Sequence, residues 1–255
     1  MAARARRVAA LIHKSLGSGA TEKSLGRRGT TLVAGGLVLA ISLALIGMAI
    51  VQLATPSAMT VWEDGVNDWF VVHRTPSLDS WTHVASTIAN SRTIFALLVV
   101  MAVVFRLWLG RWHESAALFA AIAGELLVFV AVSAVVARPR PDVPRLDAAP
   151  PTSSFPSGHT GAAVAFYGCI AIIVLRQLRP HWLAIVVSAL VFLVPVVVGM
   201  SRIYRGMHHP VDVIVGAVCG GVWLALVLTT LLPTITDRIH TDAGTTPINR
   251  LSPAS

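Results

Sequence analysis

The sequence predicts an all-α protein, a bundle of six transmembrane helices, on three observations. Hydrophobic residues make up 55% of the 255 and charged residues only 13%, with a mean hydropathy of +0.73. That balance belongs to an integral membrane protein and excludes an ordinary soluble enzyme. Six long apolar runs follow one another along the chain, each near the ~20 residues with which a helix crosses about 30 Å of hydrocarbon. Lys and Arg are shared unequally between alternate connections, as expected of a chain threaded repeatedly through a bilayer.

Residues 1–30 form a basic arm without the compact apolar core of a signal peptide, so the first apolar run, 31–54, reads as a retained span. Residues 55–92 mix Trp62, Trp69, Phe70 and Trp81 with Glu63, Asp64, Asp68 and Asp79, the composition of helices lying at the membrane surface and candidates to line a lateral lipid path. The remaining spans are 93–109, 115–137, 160–175, 181–200 and 211–232. The second and fourth are short and are expected to extend into 85–89 and 157–158. Glu125 lies midway along the third, where a carboxyl group marks either a function or an interhelical hydrogen bond. Residues 31–232 thus read as one domain, followed by a polar tail, 233–255.

The arm carries Arg4, Arg6, Arg7, Lys14, Lys23, Arg27 and Arg28, and the same side receives Arg106, Arg111, Arg176, Arg179, Arg238 and Arg250, thirteen of the 20 basic residues. The positive-inside rule places that side, with both termini, in the cytoplasm of a plasma-membrane protein. The 138–156 loop then faces the periplasm or exterior. A net charge of +8 points to a membrane surface, not to nucleic acid, because the charges are dispersed over the arm and short loops. Cys169 and Cys219 both fall within apolar spans and form no metal-binding pattern.

Chemistry concentrates in three blocks on the outer side. In Ser201-Arg202, His208 and Asp212, the carboxylate follows the imidazole by four residues at a helix start, so it is placed to orient and charge-stabilise it. Pro156-Ser157-Gly158-His159 leads into the fourth span, presenting backbone N–H groups where anions bind. Arg138-Pro139-Arg140-Pro141 offers planar guanidinium donors suited to phosphate oxygens; for Arg138 an equally good reading is a stiff exit from the membrane. His209 belongs to no such pattern and is assigned no role. Pro210 suits the first turn of a helix.

These blocks resemble the signature of the type 2 phosphatidic acid phosphatase family, which also includes vanadium haloperoxidases and glucose-6-phosphatase, over roughly residues 75–232. The family's first block reads Lys, six residues, Arg-Pro; Arg140-Pro141 matches it and the lysine position falls on Ser133. The resemblance implies His208 as nucleophile forming a phosphohistidine, Asp212 as its orienting partner and His159 as acid to the leaving oxygen. Arg140, Ser157, Gly158 and Arg202 would hold the phosphoryl oxygens, with Arg138, or more distantly Arg92, supplying the cation that Ser133 lacks. The expected partner is a lipid phosphate or diphosphate in the bilayer, and neither metal nor cofactor is required. A lipid phosphotransferase and a non-catalytic lipid-binding protein of the same fold are the alternatives.

Overall fold

The computed structural model describes residues 2–52 and 57–232, with side chains from Leu25 onward. The arm's Arg4, Arg6, Arg7, Lys14 and Lys23, and the tail with Arg238 and Arg250, lie outside the described side chains. Among the described residues there are eight helices and no strand: α1 (Ala2–Gln52), α2 (Ala58–Val72), α3 (Pro76–Thr87), α4 (Ser91–Leu109), α5 (His113–Val135), α6 (Gly158–Gln177), α7 (His181–Tyr204) and α8 (Pro210–Leu231). Six are long and apolar enough to cross a membrane: Leu25–Gln52 of α1, and α4 to α8.

Capping residues set the boundaries. Ser57 and Thr60 exchange capping hydrogen bonds at the start of α2, and Thr75 accepts from Leu78 N ahead of Pro76 in α3. The second span does not reach back into 85–89. Asn90 Oδ1 accepts from Thr93 N at 2.8 Å and starts α4 afresh, leaving Ala85 in α3. The fourth span does extend to Gly158, as its short apolar run implied.

Helix α6 is the hub, packing against α5, α7 and α8. A core of Phe105, Leu118, Phe166, Ile173 and Val227 fills the space around it. The α6–α8 crossing is made by small residues. A Cβ on Gly216 would stand 2.5 Å from Ser157 O, and one on Gly220 would strike Gly161 O. Backbones pack this closely only where side chains are nearly absent. Outward-facing Val99, Leu107, Leu127, Leu190 and Val218 are exposed, the surface a bilayer covers.

Helices α2 and α3 run between α1 and α4 and are docked on α7 and α8. Trp69 and Trp81 line an apolar groove of about 550 Å³ against α7. None of the motif histidines lines that groove.

Candidate active site

The three sequence blocks meet at the N-terminal end of α6. Glycine makes the meeting possible: α7 ends where Gly206, at φ +70°, donates its N–H to Ile203 O at 2.9 Å, a left-handed turn that favours glycine. The chain doubles back, Met207 N bonds Arg202 O at 3.0 Å, and His208 is carried over α6. A cavity of about 730 Å³ opens there, lined among others by Arg140, Gly158, His159, Arg202 and His208.

His208 is buried, and its Nδ1 is 2.7 Å from Ser154 O. A carbonyl only accepts, so Nδ1 carries the proton and Nε2 is left with its lone pair on the cavity side. Burial first, then the charges of Arg202 and Arg140, hold the imidazole well below its usual pKa range, which keeps it neutral and nucleophilic. The imidazole makes no direct hydrogen bond to Asp212, whose Oδ2 lies 3.9 Å from Nδ1. The connection runs through Ser154, whose Oγ donates to Asp212 Oδ2 at 2.5 Å while its carbonyl receives His208. Asp212 Oδ2 also accepts from His209 N at 2.9 Å, so it fixes the backbone on both sides of the imidazole.

Arg138 does not face the cavity. Its guanidinium bridges Asp212 Oδ1 and Glu63 Oε2, the latter at 2.5 Å, with all three side chains at or below 5% exposure. Both terminal nitrogens are engaged by carboxylates and Arg138 does not line the cavity, a geometry that suits a positioning residue better than a phosphate ligand. Glu63 Oε1 further accepts from Val211 N at 3.1 Å, which pins α2 to the start of α8.

Ser157 is likewise turned away. Its N–H donates to Asp212 O at 2.9 Å and its hydroxyl pairs with Thr160 Oγ1, joining α6 to α8. Among the described residues nothing takes up the N–H groups of Gly158 or His159, and both residues line the cavity. A side chain at Gly158 would meet Phe129 at 2.9 Å.

Two arginines of the sequence blocks do line the cavity. Arg140 is half-buried and donates to Met207 O at 2.7 Å. Arg202 donates through Nη1 to Ser86 Oγ at 2.5 Å and to Asp147 Oδ2 at 2.9 Å. Its Nε is buried and has no hydrogen-bond partner among the described residues. Asp147 also binds Arg205 at 2.6 Å. Burial raises its pKa, but the Arg205 hydrogen bonds and the Arg202 charge outweigh that and hold it below the usual range. It therefore stays ionised and fixes both arginines.

Glu63, Ser154 and Asp147 escape the sequence reading. Glu63 looks like its exposed neighbour Asp64, and only the fold reveals Arg138 opposite it. Glu125 is buried, lines the cavity and makes no hydrogen bond to a described residue, so the interhelical bond is not formed. A Cβ on Gly161 would collide with its Oε1.

Comparison with known proteins bears on the fold. Residues 115–234 match the family model described as the PAP2 superfamily. A crystal structure of a transmembrane PAP2-type phosphatidylglycerolphosphate phosphatase from Bacillus subtilis shares the fold with a TM-score of 0.66 at 21% identity, covering 82% of this chain and 98% of that one. Aquifex aeolicus LpxE is similar with a TM-score of 0.54 at 26% identity, over 69% of this chain and 98% of its own. No curated protein matches the sequence.

Proposed function

We propose that this chain, whose residues 115–234 match the PAP2 superfamily model and whose fold is shared with membrane PAP2-type phosphatases, is a member of that superfamily and hydrolyses a lipid phosphate or diphosphate at the outer face of the membrane through a phosphohistidine. One observation carries the reading: a buried, neutral His208 with Nδ1 committed to Ser154 O and Nε2 free, in a cavity shared with Arg140, Arg202 and His159.

Nε2 of His208 attacks phosphorus in line, and the bond from phosphorus to the lipid oxygen breaks with its electron pair on oxygen. His159 supplies the proton that this oxygen takes up. Arg140, Arg202 with its unpartnered Nε, and the free N–H groups of Gly158 and His159 offset the charge on the equatorial oxygens. Water, deprotonated by His159, then attacks phosphorus, breaks the P–N bond and restores His208. In this scheme arginine and backbone N–H carry the electrostatics. The chemistry fits a polyprenyl diphosphate first, then phosphatidylglycerol phosphate and phosphatidic acid.

Purified protein given these lipids is expected to release inorganic phosphate in excess EDTA, with vanadate inhibiting as a pentacoordinate mimic. Activity lost in EDTA and restored by Mg²⁺ overturns the mechanism. Transfer of phosphate to an added lipid or sugar alcohol without free phosphate identifies a transferase, and no turnover of any lipid leaves a binding protein.

The outward-facing site has its own test. Cys169 and Cys219 are buried, so a cysteine introduced at exposed Ala148 is expected to react with a membrane-impermeant maleimide in intact cells, and one at Gln177 is not. The reverse pattern moves the substrate to the inner leaflet.

A further inference from the structure

The family's first block has a lysine where this chain has Ser133, and the structure leaves that position unfilled from nearby. Ser133 Oγ bonds Val130 O of its own helix at 3.2 Å and does not line the cavity. Arg138 is consumed by Glu63 and Asp212. The cationic group that remains on the cavity wall beyond Arg140 and Arg202 is Arg92, at the second position of α4. It is exposed, and no hydrogen bond or ion pair to a described residue engages it.

Its position is informative. Phe95, three residues on and so on the same face of α4, also lines the cavity and is 64% exposed; Leu126 of α5 does the same at 50%. The cavity therefore opens to the outside of the bundle between α4 and α5 through apolar residues, the exit an acyl or prenyl tail needs. Arg92, one turn before Phe95 at the start of α4, lines the same cavity as Arg140 and Arg202. In a reaction where His208 attacks the terminal phosphorus, whatever is attached to the leaving oxygen occupies this stretch. The cavity, at about 730 Å³, has several times the volume of one phosphate group.

Resting on the phosphatase reading above, we infer that Arg92 binds a second phosphate on the leaving side of the substrate, and so selects lipids with two phosphates, prenyl diphosphates or phosphatidylglycerol phosphate, over lipid monophosphates. A phosphatidic acid or prenyl monophosphate presents no anion there. A diphosphate presents one that the guanidinium engages by charge-assisted hydrogen bonds.

Farnesyl diphosphate and farnesyl monophosphate, which share one tail, provide the test. Arg92→Ala is expected to lower kcat/KM for the diphosphate about 10- to 100-fold more than for the monophosphate. Arg92→Lys keeps most of the preference, and Ser133→Lys in the Arg92→Ala background does not restore it. Equal losses on both substrates, or restoration by Ser133→Lys, overturn the inference in favour of a general oxyanion role. Calorimetry with inorganic pyrophosphate and orthophosphate gives a readout independent of turnover. Arg92→Ala is expected to weaken pyrophosphate binding about tenfold more than orthophosphate binding, and parallel changes overturn the inference. If the wild type hydrolyses no lipid yet shows this pyrophosphate selectivity, the phosphatase reading fails and the second-phosphate site stands.

Discussion

Replacing His208 by alanine is expected to reduce phosphate release by at least about 10⁴-fold, the scale of losing a nucleophile, while His209→Ala loses about tenfold or less. The adjacent histidines make an internal control because their surroundings differ. His208 lines the cavity with Nδ1 held by Ser154 O. His209 contributes its backbone N–H to Asp212, and its side chain does not reach the cavity lining. Single-turnover assays with ³²P-labelled lipid, followed by base-stable protein labelling, measure both rate and intermediate. Equal losses in folded protein, or a label persisting in His208→Ala, sink the assignment.

The second large effect concerns stability. Arg138→Ala would leave Glu63 and Asp212 facing each other as buried carboxylates without their cation, a loss of the order of 3–5 kcal/mol for a broken buried pair. Thermal unfolding in detergent should show it as a markedly lowered Tm. Adding Glu63→Gln should recover part of the loss by removing one of the two charges. Arg138→Lys should recover little, since an ammonium lacks the planar fork that spans both partners. An unchanged Tm with a selective fall in phosphate affinity would return Arg138 to the phosphate cage.

Much of this was legible in the sequence because it depends on local pattern. Apolar length fixed the spans, and the spacing of His208 and Asp212 put both at one helix start. The identity of Asp212's partners was not legible. Four-residue spacing brings the carboxylate near the imidazole, but the serine that links them is 54 residues from His208 and enters from another loop. Glu63 was misplaced for a similar reason. On a short helix rich in Trp and Asp it has the local signature of a membrane-surface residue, and its partners, Arg138 and Val211 of α8, lie far away in sequence. Ser157 failed differently: a helix N-terminus does expose N–H groups, yet here the first is taken by the backbone of α8, leaving Gly158 and His159 to face the cavity.

The glycine contact between α6 and α8 has a mechanical consequence. His159 rides on the first and His208 just ahead of the second, so with Gly216 and Gly220 pressed on the α6 backbone the separation of the two histidines is fixed by peptide against peptide, without compliant side chains between. A bilayer that thickens or thins must be accommodated by helix tilt, and the peripheral α1, with far less of its apolar span buried than α6 or α8, yields first. The geometry of the proposed reaction is thereby expected to be insulated from lipid composition, the strain of a mismatched membrane falling on helices outside the α6–α8 contact.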